Sequence, residues 1–425
     1  MTINKLHKSL FLIAMIFVMA GGVFAQSDIA SPYSRFGLGT MEKNRSNTII
    51  QGMGGISNAL TGKYLLNNAN PASYAEMDSL TFLFDAGFYM KYMTYRTTDA
   101  SEKGSNASFD YFDIGFGVTK WLKMGIGVAP YSNRAYTSTA SFDFQYPYDI
   151  DYEGTGGLNK MYWASGIKVY KGLSLGFKMN YIFGNVTDAT TLYFPANIHF
   201  HNEKRIINLS FSDLTFDFGL IYKQQLRNDY SITFGATYGL PANMNAHRNA
   251  FIYTTYGTSS TSPIDTILYK NNEKISVKYP QSVGGGITVQ KGDRWLIGID
   301  FNWSNWEAFR MNHVSDSLQN SWNVAVGGSF TPANTSVSSY LRKMTYRAGF
   351  HYDQTFFNIY GTSINKYGVT FGLGLPITRA MTSLNIAFEF GKMGTVKNNL
   401  IEESYFNISF GVSLRDRWFV KRRYK

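Results

Sequence analysis

Apolar and polar residues alternate along most of the chain from Leu80 onward. In residues 406–414, FNISFGVSL, every second side chain is bulky and apolar, and the residues between them are Asn, Ser or Gly. Residues 384–391, LNIAFEFG, and 367–375, YGVTFGLGL, are arranged similarly. A period of two residues indicates β-strands that have one apolar face and one polar face.

Fourteen segments carry this pattern. They lie at 80–97, 108–118, 122–133, 160–170, 173–187, 212–226, 230–247, 277–290, 294–310, 320–331, 343–357, 365–378, 382–395 and 402–418. All are longer than the usual strand of about five to six residues. Their length and number favour a large β-sheet structure built from long strands.

The connections between these segments mostly alternate between short and long. The short ones are 119–121, 171–172, 227–229, 291–293 and 379–381, the long ones are 134–159, 188–211 and 248–276, and 332–342 is an exception. Short turns at one rim and long loops at the other are typical of bacterial outer-membrane barrels. An even strand count places both ends of the barrel at the short-turn, periplasmic rim.

A soluble sandwich of two sheets is the alternative to a barrel. A sandwich also alternates, but its apolar faces must fill a core between the sheets. Here the apolar face is bulky and continuous, whereas the other face carries mostly Gly, Ser, Thr and Asn. In hydrocarbon all backbone polar groups must be paired, and a closed barrel pairs them without leaving an edge. We therefore predict an all-β fold, a 14-stranded antiparallel transmembrane β-barrel over residues 80–418.

Composition agrees with a membrane barrel. Charged residues make up 16% of the 425 residues, against about 25% in soluble domains, while aromatic residues reach 16% and glycines number 40. The chain has no cysteine, which excludes disulfides, thiolate metal sites and a lipoprotein attachment site. The formal charge of +11 suits contact with anionic lipid and lipopolysaccharide in an exported protein better than contact with nucleic acid.

The N-terminus has the pattern of a secretory signal peptide over residues 1–25. Lys5 and Lys8 form a basic start, 10–19 is apolar, and Val23 and Ala25 are small residues three and one before the predicted cleavage site. The alternative is an N-terminal membrane anchor, but the apolar run is shorter than the roughly 20 residues that span a bilayer. Export of a barrel predicts the outer membrane of a Gram-negative bacterium.

Residues 26–79 lie between the predicted signal peptide and the first strand, and they do not alternate. The stretch 52–73, GMGGISNALTGKYLLNNANPAS, is rich in glycine, which permits close backbone contact and positive φ angles. Its Asn-rich end followed by proline is typical of turns. We expect a compact segment that lies either in the periplasm or in the barrel lumen.

This stretch resembles the N-terminal plug signature of the FadL-type transporters of long-chain fatty acids and other hydrophobic compounds. The resemblance rests on a Gly-rich part followed by Asn-Pro-Ala before the first strand; the matching residues are Gly52, Gly54, Gly55, Ala59, Asn70, Pro71 and Ala72. The acidic pair often found between those parts is missing, and Lys63-Tyr64-Leu65-Leu66 stands there instead. The resemblance covers nearly the whole mature chain and implies that residues 26–79 are a plug in the lumen.

A second matching element is Ala129-Pro130-Tyr131 in the third predicted strand. The resemblance implies passive uptake of a hydrophobic ligand such as a long-chain fatty acid, with binding in an apolar pocket and lateral release through a gap in this strand. Proline has no N–H to donate to a sheet, so it loosens the wall locally. The alternative interpretation of Pro130 is an ordinary strand end near a rim.

Several charged residues are predicted to face the lumen, among them Asp300, Arg347, His351 and Glu389. In a transporter, Arg347 or a lysine would pair with a ligand carboxylate. In the alternative, residues of both signs form a network that holds the plug to the wall. Aromatic-rich loops at 142–152, 192–200 and 251–257 suit a capture groove, a lipopolysaccharide contact or a docking site for a partner protein.

No enzyme motif stands in a fitting context, so we predict no catalytic site, metal site or cofactor. Some FadL-like barrels serve as subunits of protein secretion or outer-membrane assembly complexes, and this role is the alternative to uptake. The end of the chain, 415–425, is basic, and residues 419–425 are predicted to form a periplasmic tail. That tail would contact lipid headgroups or a periplasmic or outer-membrane protein partner.

Overall fold

The computed structural model describes residues 31–41, 47–143, 146–195, 200–256, 263–316, 318–333, 339–377 and 382–417. The predicted signal peptide, 1–25, and the predicted tail, 419–425, lie outside these residues. No helix within the described ranges has the length and apolar character needed to cross a membrane. The described helices are all short: Pro32–Arg35, Thr48–Gln51, Pro71–Glu76, Trp306–Ala308, Tyr340–Lys343 and Lys397–Asn399.

Nineteen strands account for most of the described residues. The first ten are β1 Thr40–Met41, β2 Thr81–Arg96, β3 Ser101–Gly117, β4 Leu122–Asn133, β5 Tyr136–Phe142, β6 Tyr148–Tyr170, β7 Leu173–Tyr193, β8 Asn202–Gln225, β9 Tyr230–Gly239 and β10 Ala242–Thr255. The others are β11 Asp265–Tyr279, β12 Ser282–Lys291, β13 Trp295–Ser304, β14 Arg310–Met311, β15 Ser321–Phe330, β16 Thr345–Ile359, β17 Thr362–Pro376, β18 Ser383–Gly394 and β19 Glu402–Arg417.

These strands form a closed antiparallel barrel with 14 wall strands, which confirms the predicted fold class. Three wall strands consist of two segments each, namely β4 with β5, β9 with β10, and β11 with β12, and the two-residue strands β1 and β14 are additions to the wall. The barrel closes where β19 pairs with β2, from Glu402↔Arg96 to Arg417↔Thr81. Both ends of the wall therefore lie at the rim with the short turns, here called the periplasmic rim.

Side chains alternate across the wall as the sequence pattern predicts. In β13, Ile297, Ile299 and Phe301 point outward and are 59%, 50% and 51% exposed. Between them, Asp300 is 1% exposed and faces the lumen. The outward row is apolar because it meets hydrocarbon, and the inward row is small or polar because it meets the lumen contents.

Two of the three long connections predicted from the sequence are largely strand, and the third is strand over much of its length. β6, β7 and β8 contain 23, 21 and 24 residues, about twice the 9–11 residues that cross a bilayer. Their far ends, together with β5, β10 and β11, form a sheet that projects beyond the membrane on the side opposite the periplasmic rim, here called the projecting sheet. The alternation fails there because neither face of that sheet meets lipid, so polar residues occupy both faces.

Residues 31–41 and 47–79 lie inside the barrel in two layers. Residues 47–79 occupy the half nearer the periplasmic rim, where the helix Pro71–Glu76 packs against β6, β7 and β8. Residues 31–41 occupy the far half, where β1 pairs with β4. A polar layer with cavities separates these two layers.

Candidate functional site

Glycines on the inner face of the wall make room for the backbone of residues 47–79. A Cβ on Gly235 of β9 would lie 2.7 Å from the Cα of Ala59 and closer still to the carbonyl oxygen of Asn58. On Gly349 of β16 it would lie 2.8 Å from the Cα of Gly54. Both distances are below those of ordinary van der Waals contacts, so the wall and the inner segment fit only without these side chains.

The Gly-rich part of the predicted plug motif lies against β16 and β17. The Cα of Gly372 would be 3.0 Å from a Cβ on Gly52. Gly54 and Gly55 have φ angles of +69° and +87°, which L side chains rarely adopt. The Gly54 N–H donates to Thr370 Oγ1 at 2.8 Å, which ties this turn to the wall.

The Asn-Pro-Ala part lies on the opposite side of the lumen, against β7 and β8. Asn70 caps the helix Pro71–Glu76 because its Oδ1 accepts from the Ala72 N–H at 3.0 Å. The Asn70 side chain also donates to Asn58 O at 2.6 Å. Asn70, Pro71 and Ala72 are buried. The two parts of the motif thus contact opposite walls and span the lumen between them.

Asp300 is the strongest single anchor of this segment. Its Oδ2 accepts from the backbone N–H groups of Ser57 at 2.5 Å and Asn58 at 2.7 Å. The side chain is 1% exposed, so both hydrogen bonds are charge-assisted and shielded from water. The structure therefore places Asp300 against the inner segment, as in the network interpretation.

A second anchor forms at the start of the short helix Thr48–Gln51. Asn47 donates to Asp85 at 2.5 Å, and Tyr111 donates to the other oxygen of Asp85 at 3.1 Å. Gln51 donates to Asp110 at 2.7 Å. A β-bulge between β2 and β3 buries both Asp110 and Tyr111, although they are consecutive. Sequence alternation therefore missed Asp110.

Of the four predicted lumen residues, His351 and Glu389 meet each other. His351 lies between Asp353, at 2.6 Å, and Glu389, at 3.0 Å, and Tyr405 donates to Glu389 at 2.8 Å. This group borders a cavity of about 90 Å³ in the polar layer. Asp353 and Glu389 both lie on wall strands, as does Tyr405, so the group joins β16, β18 and β19.

Arg347 lies elsewhere, at the periplasmic end of β16. Its guanidinium lies 2.9 Å from the place where a Cβ on Gly374 would be, and its Cδ lies 3.6 Å from such a Cβ on Gly52. Arg347 thus packs between the wall and the Gly-rich turn. The four residues that the sequence groups as lumen contacts occupy three separate places.

The wall diverges at the predicted lateral opening. The ladder between β3 and β4 runs from Phe112↔Val128 to Gly117↔Lys123, and among the described strands only β1 pairs with this edge of β4 beyond Val128, while β6 pairs with the other edge of β4 throughout. The register against β6 shifts between Pro130 and Ser132. An opening of about 230 Å³ lies here, lined by Tyr89, Ser108, Asp110, Pro130, Ser132, Asn133, Gly157, Leu158 and Asn159.

A second lumen cavity, of about 210 Å³, lies behind this opening, and Pro130 lines both. Ala129 and Tyr131 also line the cavity, so all three predicted residues of the lateral opening border it. Lys178 and Asp217 form an ion pair at 2.9 Å in its wall. The ammonium of Lys160 lies 5.6 Å from the ring centre of Tyr131. The cavity therefore has both apolar and charged sides.

The half of the lumen beyond these cavities is a packed apolar core. Its members come from the inner segment 31–41, the connections between β13 and β15 and between β18 and β19, and the wall: Tyr33, Leu38, Leu158, Ile182, Val186, Leu209, Phe211, Met244, Ala246, Ile275, Val277, Trp306, Phe309, Leu318, Phe356, Phe357, Ile364, Met393 and Leu400. The rings of Trp306 and Phe356 stack with centres 4.3 Å apart. We call this set the outer core.

Polar groups fasten the inner segment to the outer core. The Gly37 N–H donates to Asp316, and Arg134 donates to the Gly37 carbonyl and to Asp188. Burial raises the pKa of Asp316. Tyr33 donates to the Ile401 carbonyl, and burial raises its pKa to about 12. Residues 33–37 are thus held at both ends by hydrogen bonds.

A family model described as BamG matches residues 6–425, which is nearly the whole chain. No curated protein matches the sequence.

Solved structures with a similar fold include two toluene transporters and a FadL homologue. The P. putida toluene transporter TodX has a TM-score of 0.59 at 14% identity, covering 89% of this chain and 99% of that one. The Ralstonia pickettii toluene transporter TbuX has a TM-score of 0.57 at 13% identity, covering 88% and 99%. A Pseudomonas aeruginosa FadL homologue has a TM-score of 0.55 at 14% identity, covering 88% and 98%. At these identities the similarity establishes the fold alone.

Proposed function

Because this chain belongs to the BamG family, we propose that it is a subunit of an outer-membrane protein secretion or assembly complex in a Gram-negative bacterium. In this role the FadL-type barrel is a closed scaffold. Its lumen contents seal the membrane, and its projecting sheet and its periplasmic rim offer surfaces to partner proteins. The family match supports this role, and it spans nearly the whole chain. The similarity to the solved channel structures, at 13–14% identity, shows only the fold.

The observation that carries the proposal is the outer core. A channel for apolar ligands needs an empty apolar pocket, because burial of apolar surface, worth about 0.8 kcal/mol per CH₂, is what binds such a ligand. Here the half of the lumen beyond the cavities is filled by the protein's own side chains, with Trp306 and Phe309 each 1% exposed. Both cavities described in the lumen are bordered by charged residues, so neither is a purely apolar pocket.

Native purification tests this function. An affinity tag on the chromosomal copy allows extraction from outer membranes in a mild detergent, followed by mass spectrometry of the purified material. We expect other outer-membrane or periplasmic proteins in fixed stoichiometric ratios, and a loss of correctly assembled outer-membrane proteins when the subunit is depleted. A protein that purifies alone, and whose depletion leaves the outer-membrane proteome unchanged, would refute the proposal.

A second candidate function is passive uptake of a hydrophobic small molecule such as a long-chain fatty acid. The divergence of β3 and β4 beside Pro130 favours it, because Pro130 lines both a lumen cavity and the opening in the wall. In this role Lys160 is better placed than Arg347 to pair with a ligand carboxylate, since it borders that cavity. Outer-membrane lipid and lipopolysaccharide would surround the wall in either role.

Uptake of a radiolabelled long-chain fatty acid by whole cells tests the second function. If the opening is the exit, Pro130→Val restores a donor N–H to β4, closes the wall and lowers uptake severalfold. Pro241→Val, in the link between β9 and β10, is the matched control and is expected to leave uptake unchanged. If cells with the unmodified protein, Pro130→Val or Pro241→Val all take up the fatty acid no faster than a deletion strain, uptake is refuted and only the scaffold role remains.

A further inference from the structure

The projecting sheet ends at β11, whose outer edge is open over most of its length. On its other edge β11 pairs with β10 from Ala242↔Tyr279 to Thr254↔Asp265. Among the described residues, the open edge pairs with other strands only at Val277 and Lys278, where β14 joins it. The stretch Asp265–Ile275 therefore presents backbone N–H and C=O groups on a side that no described strand covers.

The protein itself already uses this edge at one end. Arg310 and Met311 of β14 add to it in the antiparallel direction, and the Asn312 N–H donates to the Ser276 carbonyl at 2.8 Å. The chain then reverses, because Asn312 and His313 have φ angles of +49° and +67°, and Val314 pairs back with Met311. The added strand stops at this turn, although the edge continues for eleven more residues, 265–275.

The edge also carries exposed apolar side chains, which is unusual for a sheet edge in water. Ile267, Leu268 and Tyr269 are 57%, 37% and 66% exposed. By contrast, β5, which forms the opposite edge of the projecting sheet, reads YTSTASF and carries mostly small hydroxyl residues at its centre. The apolar stretch thus belongs to the β11 edge in particular.

The charges beside the edge are mainly positive. Lys270, Lys274 and Lys278 lie along β11, and all three are exposed. Of the two acidic residues of β11, Asp265 lies at its start, away from the lysines, and Glu273 accepts from Arg248 at 2.8 Å and lies 3.5 Å from Lys270, so the charge of Glu273 is already matched. A strand that paired here would be favoured by carboxylates opposite these lysines.

We propose that the outer edge of β11, residues 265–275, binds an extended segment of a partner protein as an added antiparallel strand. In this partner segment every second residue is apolar, and these residues cover Ile267 and Tyr269. Acidic residues of the partner segment lie opposite Lys270 and Lys274. Main-chain hydrogen bonds supply much of the affinity, and the side chains supply the choice of partner. This deepens the scaffold role and rests on it, because it assigns one partner surface to the side of the membrane opposite the periplasmic rim.

A synthetic peptide tests the edge directly. The probe is a fluorescein-labelled ten-residue peptide of alternating Val and Thr with two Glu residues, titrated into the full-length mature protein in lipid nanodiscs. We expect saturable binding by fluorescence anisotropy, together with slower hydrogen–deuterium exchange in residues 264–276. Ile267→Lys and Tyr269→Lys should each weaken binding at least tenfold, because they remove the apolar contact and place an ammonium group against the valines of the peptide, with no carboxylate opposite it.

The control is Tyr360→Lys, which replaces a 90% exposed tyrosine in the turn between β16 and β17 and should bind the peptide as the unmodified protein does. Peptide binding that is equal in both edge variants and the unmodified protein would overturn the proposal. So would a dimer in detergent that Tyr269→Lys converts to a monomer, because the edge would then pair with a second copy. Neither result depends on whether partners co-purify, so failure of this inference is distinguishable from failure of the scaffold role.

Discussion

Replacing Gly235 with valine is expected to open the closed barrel to ions. Gly235 lies where β9 meets the inner segment, and a Cβ there would lie 2.4 Å or less from backbone atoms of Asn58. The segment cannot move away easily, because Asp300 holds the Ser57 and Asn58 N–H groups. The wall cannot yield either, because β9 is hydrogen-bonded to β8 and β12. Overpacking costs about 1–3 kcal/mol, and a backbone clash lies at the upper end or above.

The consequence follows from the size of the barrel. Fourteen strands enclose a lumen too wide for wall side chains to fill, so the inner segment must close it. If Gly235→Val displaces residues 57–60, the cavity that Pro130 lines gains a water path to the periplasmic rim, and the opening beside Pro130 lets this path bypass the outer core. Single-channel recordings in planar bilayers should then show frequent openings, and cells should become sensitive to large antibiotics that the outer membrane normally excludes.

Gly285→Val is the matched control for this experiment. Gly285 lies on the neighbouring strand β12, and its nearest atom to an added Cβ is 4.0 Å away, because this position faces outward. Valine there only adds apolar surface toward lipid, and the protein should remain non-conducting. If both variants stay closed and melt at the same temperature, residues 57–60 do not seal the lumen.

The barrel wall was predictable because each strand obeys a local rule. A strand between lipid and lumen has two chemically different surroundings, so bulky apolar residues alternate with small or polar ones along β13 and β19. The same rule explains its failures. The ends of β6, β7 and β8 project into water on both faces, and the bulge at Asp110 places two consecutive residues on one side.

The inner segment was predictable only in outline. Glycine at 52, 54 and 55 and the Asn-Pro-Ala stretch indicated tight turns and close contact, but not what they contact. Their partners, such as Gly349 and Gly176, are separated from them by a hundred residues or more. Which wall glycine meets which turn depends on strand register around the whole barrel, and no local pattern encodes that register.

The outer core was not predicted, and its signal was ambiguous. Trp306 and Phe309 lie in SNWEAF, which reads as the end of a lipid-facing strand because aromatic residues are also common at membrane interfaces. The structure instead turns the chain at the helix Trp306–Ala308 and buries both rings inside the barrel. Aromatic residues at a strand end fit a lipid interface and a lumen core equally well by sequence.

Replacing Trp306 with alanine is expected to be the most destructive single change in the outer core. Trp306 stacks on Phe356 at 4.3 Å and also contacts Phe309 and Tyr279, with ring centres 5.7 and 5.8 Å away. Removing a buried tryptophan costs about 3–5 kcal/mol, because the transfer free energy is lost and a cavity remains. Hydrogen–deuterium exchange in residues 305–316 should accelerate by at least tenfold, since this connection depends on Trp306 for its place in the lumen.

The same variant separates the two functions. Trp121→Ala, at an exposed turn of the periplasmic rim, is the control and should change stability by less than about 0.5 kcal/mol. If the outer core is a scaffold, Trp306→Ala loosens the projecting sheet, weakens partner co-purification and leaves fatty-acid uptake unchanged. If the outer core closes a ligand route, the vacated space becomes an apolar pocket, and uptake rises while partner binding stays as it was. A variant with unaltered exchange, partner binding and uptake would show that the outer core supports neither function.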